Sequence, residues 1–562
     1  MHPFLPALSL SLASLFQADP GADSRPHSSI EPHGLITHAE GAFEGYTLIA
    51  PLRSRHTYLL DMAGEVVHSW TGTHGPGNSV YLLDNGDLLR SVKVGGNDVF
   101  RGGGEGGRIK RLAWDGTVLW DFWYTNGQHL QHHDIEPLPN GNILMIAWEH
   151  KSAAEALAKG RAASHVSEDG FWPDMVLEVK PEGKHGGEIV WEWHAFDHLI
   201  QDADPDLAGY GDVTAHPELI DINADHRRQA PLSEEARKRQ EELARQMKAL
   251  GYTGDDEDEG NVAQGGPAGG TGSSRDMGER NRTGDWLHTN GIDYDAQRDL
   301  IILSVRSFSE LWVIDHSTTT EQAKGQRGGR YGRGGDLLYR WGNPRNYGQD
   351  GERYLYVQHD TQWIENGLPG AGHILVFNNG EGRPGEPFST VDEIIPPWDD
   401  KLGFTRGAKA AFGPSAPSWS YGNATDQSIF SPFISGAQRL PNGNTLICSG
   451  AEGLLVEVTA AGEVVWEFEN IYGGDIKPER GGPGPQGQGP GLSGPPPSGA
   501  GPAGRSPAGR GPAGRGPGGR GPGGPRGAGG PGGPKEKALF RATRLAPDHP
   551  GLAGLQPADA ED

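Results

Sequence analysis

One unit recurs along the chain, and its turn dictates what the chain can fold into. The unit reads Leu138-Pro-Asn-Gly-Asn-Ile-Leu-Met-Ile, then Met175-Val-Leu-Glu-Val, then Gly187-Glu-Ile-Val-Trp-Glu-Trp. It returns as Leu440-Pro-Asn-Gly-Asn-Thr-Leu-Ile-Cys, Leu454-Leu-Val-Glu-Val and Gly462-Glu-Val-Val-Trp-Glu-Phe. A third copy is Leu83-Asp-Asn-Gly-Asp-Leu-Leu, Arg108-Ile-Lys-Arg-Leu and Gly116-Thr-Val-Leu-Trp-Asp-Phe. Asn-Gly between apolar runs is the strongest short hairpin signal, because both central residues must take φ > 0. The short runs rich in Val, Ile, Leu and Trp read as strands. Each unit is therefore a four-stranded antiparallel meander, A to D. Looser copies span residues 286–341 and 356–395. Residues 45–70 offer strands B, C and D without an A strand, and Lys537-Ala-Leu-Phe-Arg-Ala-Thr-Arg-Leu-Ala offers a spare one. The expectation is an all-β fold, a six-bladed β-propeller whose first blade is completed by the C-terminal strand at 539–545.

Composition sets bounds. A net charge of −25 argues against a nucleic-acid partner. The hydrophobic fraction of 35% is diluted by 89 Gly and 43 Pro, while 15 Trp are ample for a core. The one cysteine, Cys448, sits in a buried-strand pattern and allows neither an internal disulfide nor a Cys-based zinc site. Residues 4–18 fit a signal-peptide core, so 1–24 read as a leader and the destination as periplasmic or secreted. No later segment reads as a membrane span. The propeller occupies 42–480, with a first insertion at 201–285. Its middle, 233–250, favours helix, and 254–281 are acidic, Gly-rich and expected to lack fixed structure. A second insertion at 481–534 repeats Gly-Pro-Ala-Gly-Arg. This is a five-residue period rather than the three-residue period of collagen, and it reads as a solvated spacer. Residues 535–562 hold the closing strand and tail.

A strands line a propeller's channel, and their register can be counted back from the A–B turn. His133 lies seven residues before Asn140, His288 seven before Asp295, and His359 seven before Asn366. The same offset lands on Asn78, Ser435 and Arg541 in the other blades. A residue that packs blades recurs in every blade. These histidines occur in three, which points to function. Asn290 lies two residues after His288, and Arg306 ends the B strand of that blade. Imidazoles beside an amide and a guanidinium suit a nucleophile or base with a clamp for an oxyanion such as sulfate or phosphate. A three-histidine zinc site is the rival, which the nearby Arg306 disfavours.

His132-His133-Asp ahead of Leu138-Pro-Asn-Gly-Asn, then His288-Thr-Asn290, Ser304-Val-Arg306 and Gln358-His359, together resemble the arylsulfotransferase (arylsulfate sulfotransferase) family. The resemblance covers the propeller but neither insertion. It implies a six-bladed propeller that moves a sulfuryl group from an aryl sulfate donor to a phenolic acceptor. It implies no nucleotide sulfate donor and no other cofactor or metal, with passage through a sulfohistidine. By this resemblance His359 matches the nucleophile. His288, Asn290, Arg306 and His133 match groups that hold the sulfuryl oxygens or assist the phenolic oxygen. His132 is an alternative to His133, which the register favours. Asn78, Ser435, Arg541 and His132 are carried as substrate-binding candidates. Two other readings stay open: a catalytically silent extracellular scaffold and a metal-dependent propeller hydrolase or lyase.

Overall fold

A computed structural model describes residues 34–167, 169–224, 234–249, 284–425, 427–474, 476 and 537–555. The leader and the 254–281 and 481–534 segments lie outside the described residues. Six antiparallel sheets follow one another, and their A strands touch in cyclic order, the last against the first. The chain is thus a six-bladed β-propeller. Blade 1 is ordered Leu539–Leu545, Tyr46–Pro51, His56–Leu60 and Val66–Thr71, so the C-terminal strand supplies the innermost strand of the first blade.

Two elements differ from the sequence reading. Blade 6 has a fifth strand, Gly34–His38, paired antiparallel with the outer strand Val464–Glu469. Blade 5 does not end at 395. Its fourth strand is Trp419–Tyr421, reached after a small hairpin of Trp398–Asp399 and Gly403–Phe404. Three residues, Trp-Ser-Tyr, are too few to show a period, so that strand leaves a weak sequence signal. Within 201–285, Ile220, Ile222 and Ala224 join the hydrophobic core shared by blades 3 and 4. Buried Arg340 of blade 4 pairs with Glu310 at 2.6 Å and donates to the Leu219 carbonyl at 3.1 Å. A helix, Glu234–Ala249, follows.

The interior is divided. Six hydrophobic clusters fill the seams between adjacent blades. Cys448 lies in the seam between blades 6 and 1, and burial pushes its thiol far up, as befits a packing residue. The repeated tryptophans sew these seams. Trp70, Trp120, Trp193, Trp341, Trp419 and Trp466, one per blade, each donate the indole N–H to a carbonyl in the C–D connection of the next blade. The acceptors are Ala113, Gly186, Gly335, Pro414, Ala460 and Met62, at 2.7–3.2 Å. A buried indole needs a partner for its N–H, so the residue that fills the seam also fixes the blade offset.

Trp466 closes the circle onto Met62 of blade 1. Trp466→Phe keeps an aromatic ring there but abandons a buried carbonyl, at a cost of about 1–3 kcal/mol. Urea unfolding should show that loss with a single cooperative transition retained.

Candidate active site

The A strands are not regular where they reach the mouth of the channel. Gln131 and Ile135 pair with Ala147 and Met145, so residues 132–134 oppose Ile146 alone. Asn290 is the extra residue between paired Thr289 and Gly291. Between paired His359 and Gln362, Asp360 and Thr361 oppose Val376 alone. The closing strand has the same irregularity at 540–541, and blade 2 at 77–79. Bulges interrupt side-chain alternation and re-aim side chains. Left-handed backbone gathers at the same level: Asn78 (φ 97°), His133 (50°), His288 (51°), Val357 (52°), Asp360 (51°), Ile434 (51°) and Ser435 (89°). Such conformations are rare for non-glycine residues and cluster at functional sites.

His359 is fully buried and its ring is held on both nitrogens. The Asn379 amide donates to the carbonyls of Ser431 and Ile434, both at 2.8 Å. Its oxygen therefore faces the ring and accepts the Nδ1–H of His359 at 2.7 Å. The lone pair is left on Nε2, which accepts the Ile434 N–H at 3.2 Å. Burial, then the charge of Arg306, holds the imidazole well below its ordinary pKa, although the bond to Asn379 opposes them. His359 is neutral at neutral pH.

His133 is also buried and neutral, first through burial and then through His288, His132, His359 and Arg306. Its ring lies 4.5 Å from that of His288. It lies so flat on Gly104 that a Cβ there would come within 2.1 Å of it, which is why the Gly-rich run at 102–107 carries glycine at that point. His132 is not interchangeable with His133. It turns away, stacks 4.1 Å from Trp148, and puts Nε2 3.3 Å from an Asp174 oxygen. Neither atom of that charge contact has an aligned hydrogen bond. The Nδ1 atoms of His132 and His133 are 2.7 Å apart. With Asp174 favouring a proton on His132 Nε2, His133 donates Nδ1–H to His132 and turns its own Nε2 lone pair outward.

His288 donates Nδ1–H to Asp285, which also accepts from Trp148 at 3.1 Å. Burial opposes ionisation of Asp285, but His288, then His132 and Arg306, hold it below the usual carboxylate range. Among the described residues His288 Nε2 has no hydrogen-bond partner. Arg306 is half-buried, and its charge reaches His133, His359 and Asp285.

The other candidates are placed differently. Asn290 donates to the Gln358 carbonyl at 2.9 Å, which pins the peptide before His359. Its Oδ1 is buried without a partner among the described residues. Ser435 spends its hydroxyl on the Gly450 N–H at 2.9 Å. Asn78 is buried, with Nδ2 unpartnered. Arg541 is committed to ion pairs with Asp134 and with Asp360, the latter at 2.9 Å. Each of these aspartates lies one residue past a channel histidine, so the pair closes the channel beneath the rings. Asp285, Asn379 and Asp174 escaped the sequence reading. Asp285 lies only three residues before His288, and that spacing was its one sequence signal. Among the described residues, no three His, Cys, Asp or Glu side chains are grouped to hold a metal ion. No helix of the described residues is long and apolar enough to cross a membrane.

Fold and site together define a propeller whose axis carries two neutral imidazoles, His133 and His359, beside the Arg306 guanidinium. The chain belongs to the arylsulfotransferase (ASST) family, whose model matches residues 52–471. At the level of that family it is a sulfotransferase. No curated protein matches the chain. Solved structures similar to it include a protein of unknown function from Bacteroides caccae, at 13% identity and TM-score 0.37, covering 75% of this chain and 93% of that one. Hydrazine synthase of Kuenenia stuttgartiensis is 12% identical at TM-score 0.31, covering 62% of this chain and 67% of that one. A periplasmic gluconolactonase of Pseudomonas aeruginosa is 12% identical at TM-score 0.31, covering 76% and 96%.

The neutral burial of His359 has a signed pH dependence. Its folded pKa is lowered, so between about pH 6.5 and that lowered value the unfolded chain binds the extra proton. The unfolding free energy of the wild type minus that of His359→Asn should therefore fall as pH drops below about 6.5, by up to about 1.4 kcal/mol per pH unit. Denaturant titrations of both proteins from pH 7.5 to 5 measure it. A constant difference would mean that the buried ring takes up its proton normally.

Proposed function

We propose that the protein is an aryl sulfotransferase that needs no nucleotide sulfate donor and works through a sulfohistidine at His359. The observation that carries this reading is the ring of His359, kept neutral with Nδ1–H on Asn379, so that Nε2 is the nucleophilic nitrogen. In the first half-reaction Nε2 attacks the sulfur of an aryl sulfate, the N–S bond forms, and the S–O bond to the arene breaks. His288 gives an Nε2 proton to the departing oxygen, and Asp285 supports the protonated ring from the far side. Arg306 balances the sulfuryl charge. Attack displaces the Ile434 N–H from Nε2, and that amide is then placed to donate to a sulfuryl oxygen. In the second half-reaction a phenol attacks sulfur, the N–S bond breaks, and the phenolic proton returns to His288. His133, neutral and backed by His132 and Asp174, is the second base on that face. Asn290 serves by holding the peptide before His359 rather than by touching the sulfuryl group. A phenol, with a pKa of about 10, leaves and attacks far more readily than an aliphatic alcohol. Export through the apolar leader suits a reaction that draws on no nucleotide.

Intact-protein mass spectrometry after mixing with an aryl sulfate should show one sulfuryl adduct on the wild type and none on His359→Asn. An adduct surviving in that variant rejects His359 as the nucleophile. Asp285→Asn should slow transfer by about 10²–10⁴-fold. The loss should be larger for poor phenolate leaving groups than for nitrophenolates, which need no proton. A loss independent of the leaving group would assign Asp285 a purely structural role.

A further inference from the structure

The helix Glu234–Ala249 is dense in charge, yet among its described side chains one stripe is covered. Leu243 is buried and Arg239 and Met247 are half-buried, whereas Lys238, Glu241, Glu242 and Arg245 are exposed. A spacing of four aligns 239, 243 and 247 on one face. Leu243 and Met247 pack into one cluster with Phe433, Ile434, Ala538 and Phe540. That seat borders the reacting groups. The Phe540 ring lies 6.4 Å from the rings of both His133 and His359. Ile434 donates its N–H to His359 Nε2. Arg239 and Arg306 both act on Glu381, so the polar end of the stripe reaches the arginine side of the site.

The two channel rings are fully buried, so a substrate reaches His359 only by displacing something. From below, the Arg541 ion pairs to Asp134 and Asp360 bar the way. Blade strands are held by ladders and seams, whereas the described side chains of the helix that are covered lie along one stripe. The most weakly held cover is the one that moves. We propose that this helix is a removable roof over the channel, and that Leu243 occupies the apolar seat which the arene of the substrate takes during the reaction. The assignment to an arene rests on the sulfotransferase reading, whereas the roof does not. Bulk at position 243 then sets which arenes are admitted.

Diethyl pyrocarbonate acylates neutral imidazole, so its rate at His359 and His288, read by peptide mass spectrometry, reports opening without any turnover. Leu243→Asp should raise that rate about ten- to hundredfold, the factor that burial of one leucine lends to a closed state. Met247→Asp should raise it by a smaller factor, and Gln246→Ala on the exposed face should leave it unchanged. Leu243→Trp should lower it and narrow the range of aryl sulfates accepted. Near-ultraviolet circular dichroism of each variant should match the wild type, because the blades do not depend on the helix. Equal acylation of the wild type and both aspartate variants overturns the roof. A wild type that gains no sulfuryl adduct while these rates shift as expected overturns the arene and keeps the roof.

Discussion

The indole-to-carbonyl link between blades is the constraint on which the rest of the molecule depends. A blade alone is a small twisted sheet with two open faces and cannot bury enough to stand. Six seams solve this together, and each is set by a tryptophan, buried in five blades and partly buried in the fifth blade's Trp419, that directs its N–H at the next blade's C–D connection. The bond is directional, whereas the packing around it is not, so it fixes rotation between neighbours as well as distance. Because the links run in one sense around a circle, the last must meet the first. That requirement explains why the chain spends its C-terminal strand on blade 1 and lays Gly34–His38 on the outer edge of blade 6. Leu539–Leu545 thereby covers the inner edge of blade 1 and Gly34–His38 the outer edge of blade 6, edges that would otherwise be open.

A rigid outer ring allows an irregular inner one. The A strands carry bulges and left-handed residues that cost about 1–3 kcal/mol apiece in isolation. They persist because each is tied to its neighbour at the same level. Asp134 accepts the Ile292 N–H, Asp293 the Trp363 N–H and Asp360 the Ala437 N–H, each reaching one blade onward. Burial, with repulsion from Glu365 and then Asp360, pushes Asp293 up to about 7 against the backbone N–H bonds it accepts. Arg541 supplies the counter-charge at the centre. The same guanidinium therefore offsets the charge of the inner ring and floors the pocket, a role different from the substrate contact its register suggested.

Legibility followed periodicity. The Asn-Gly turns, the B to D strands and the D-strand tryptophans repeat, so the blades could be counted from the sequence. The offset of seven residues from the turn picked out His133, His288 and His359, because a register count survives even where the strand between is bulged. What did not repeat was hidden. Asn379 belongs to the loop after a B strand and reaches His359 only through its bonds to Ser431 and Ile434. Asp174 serves two masters in space, His132 and the Thr289 N–H, neither of them near it in sequence. The alternation rule put Asn290 on the face of His288, but the bulge at that very residue turned its amide to Gln358. His132 and His133 looked like alternatives because adjacent residues on a regular strand face opposite ways. The bulge instead lets the two rings meet edge to face.

On the proposed reaction, charge counting explains which ester the site would take. Arg306 is positive, Asp285 accepts the Nδ1–H of His288, and Asp134 and Asp360 are paired with Arg541. Two of the three rings are forced neutral, so they add nothing to the balance. Arg306 acts on His133, His359, Asp285 and Glu381, so an anion brought between the rings meets a positive charge already shared among these groups. An aryl sulfate would bring one negative charge to it, and an aryl phosphate dianion of the same shape would bring two, the second of them buried without a partner of its own, which is costly. On this reading charge, rather than a steric filter, would separate two tetrahedral esters of nearly equal size, because two of the three rings are buried too deeply to take up a proton and answer the second charge.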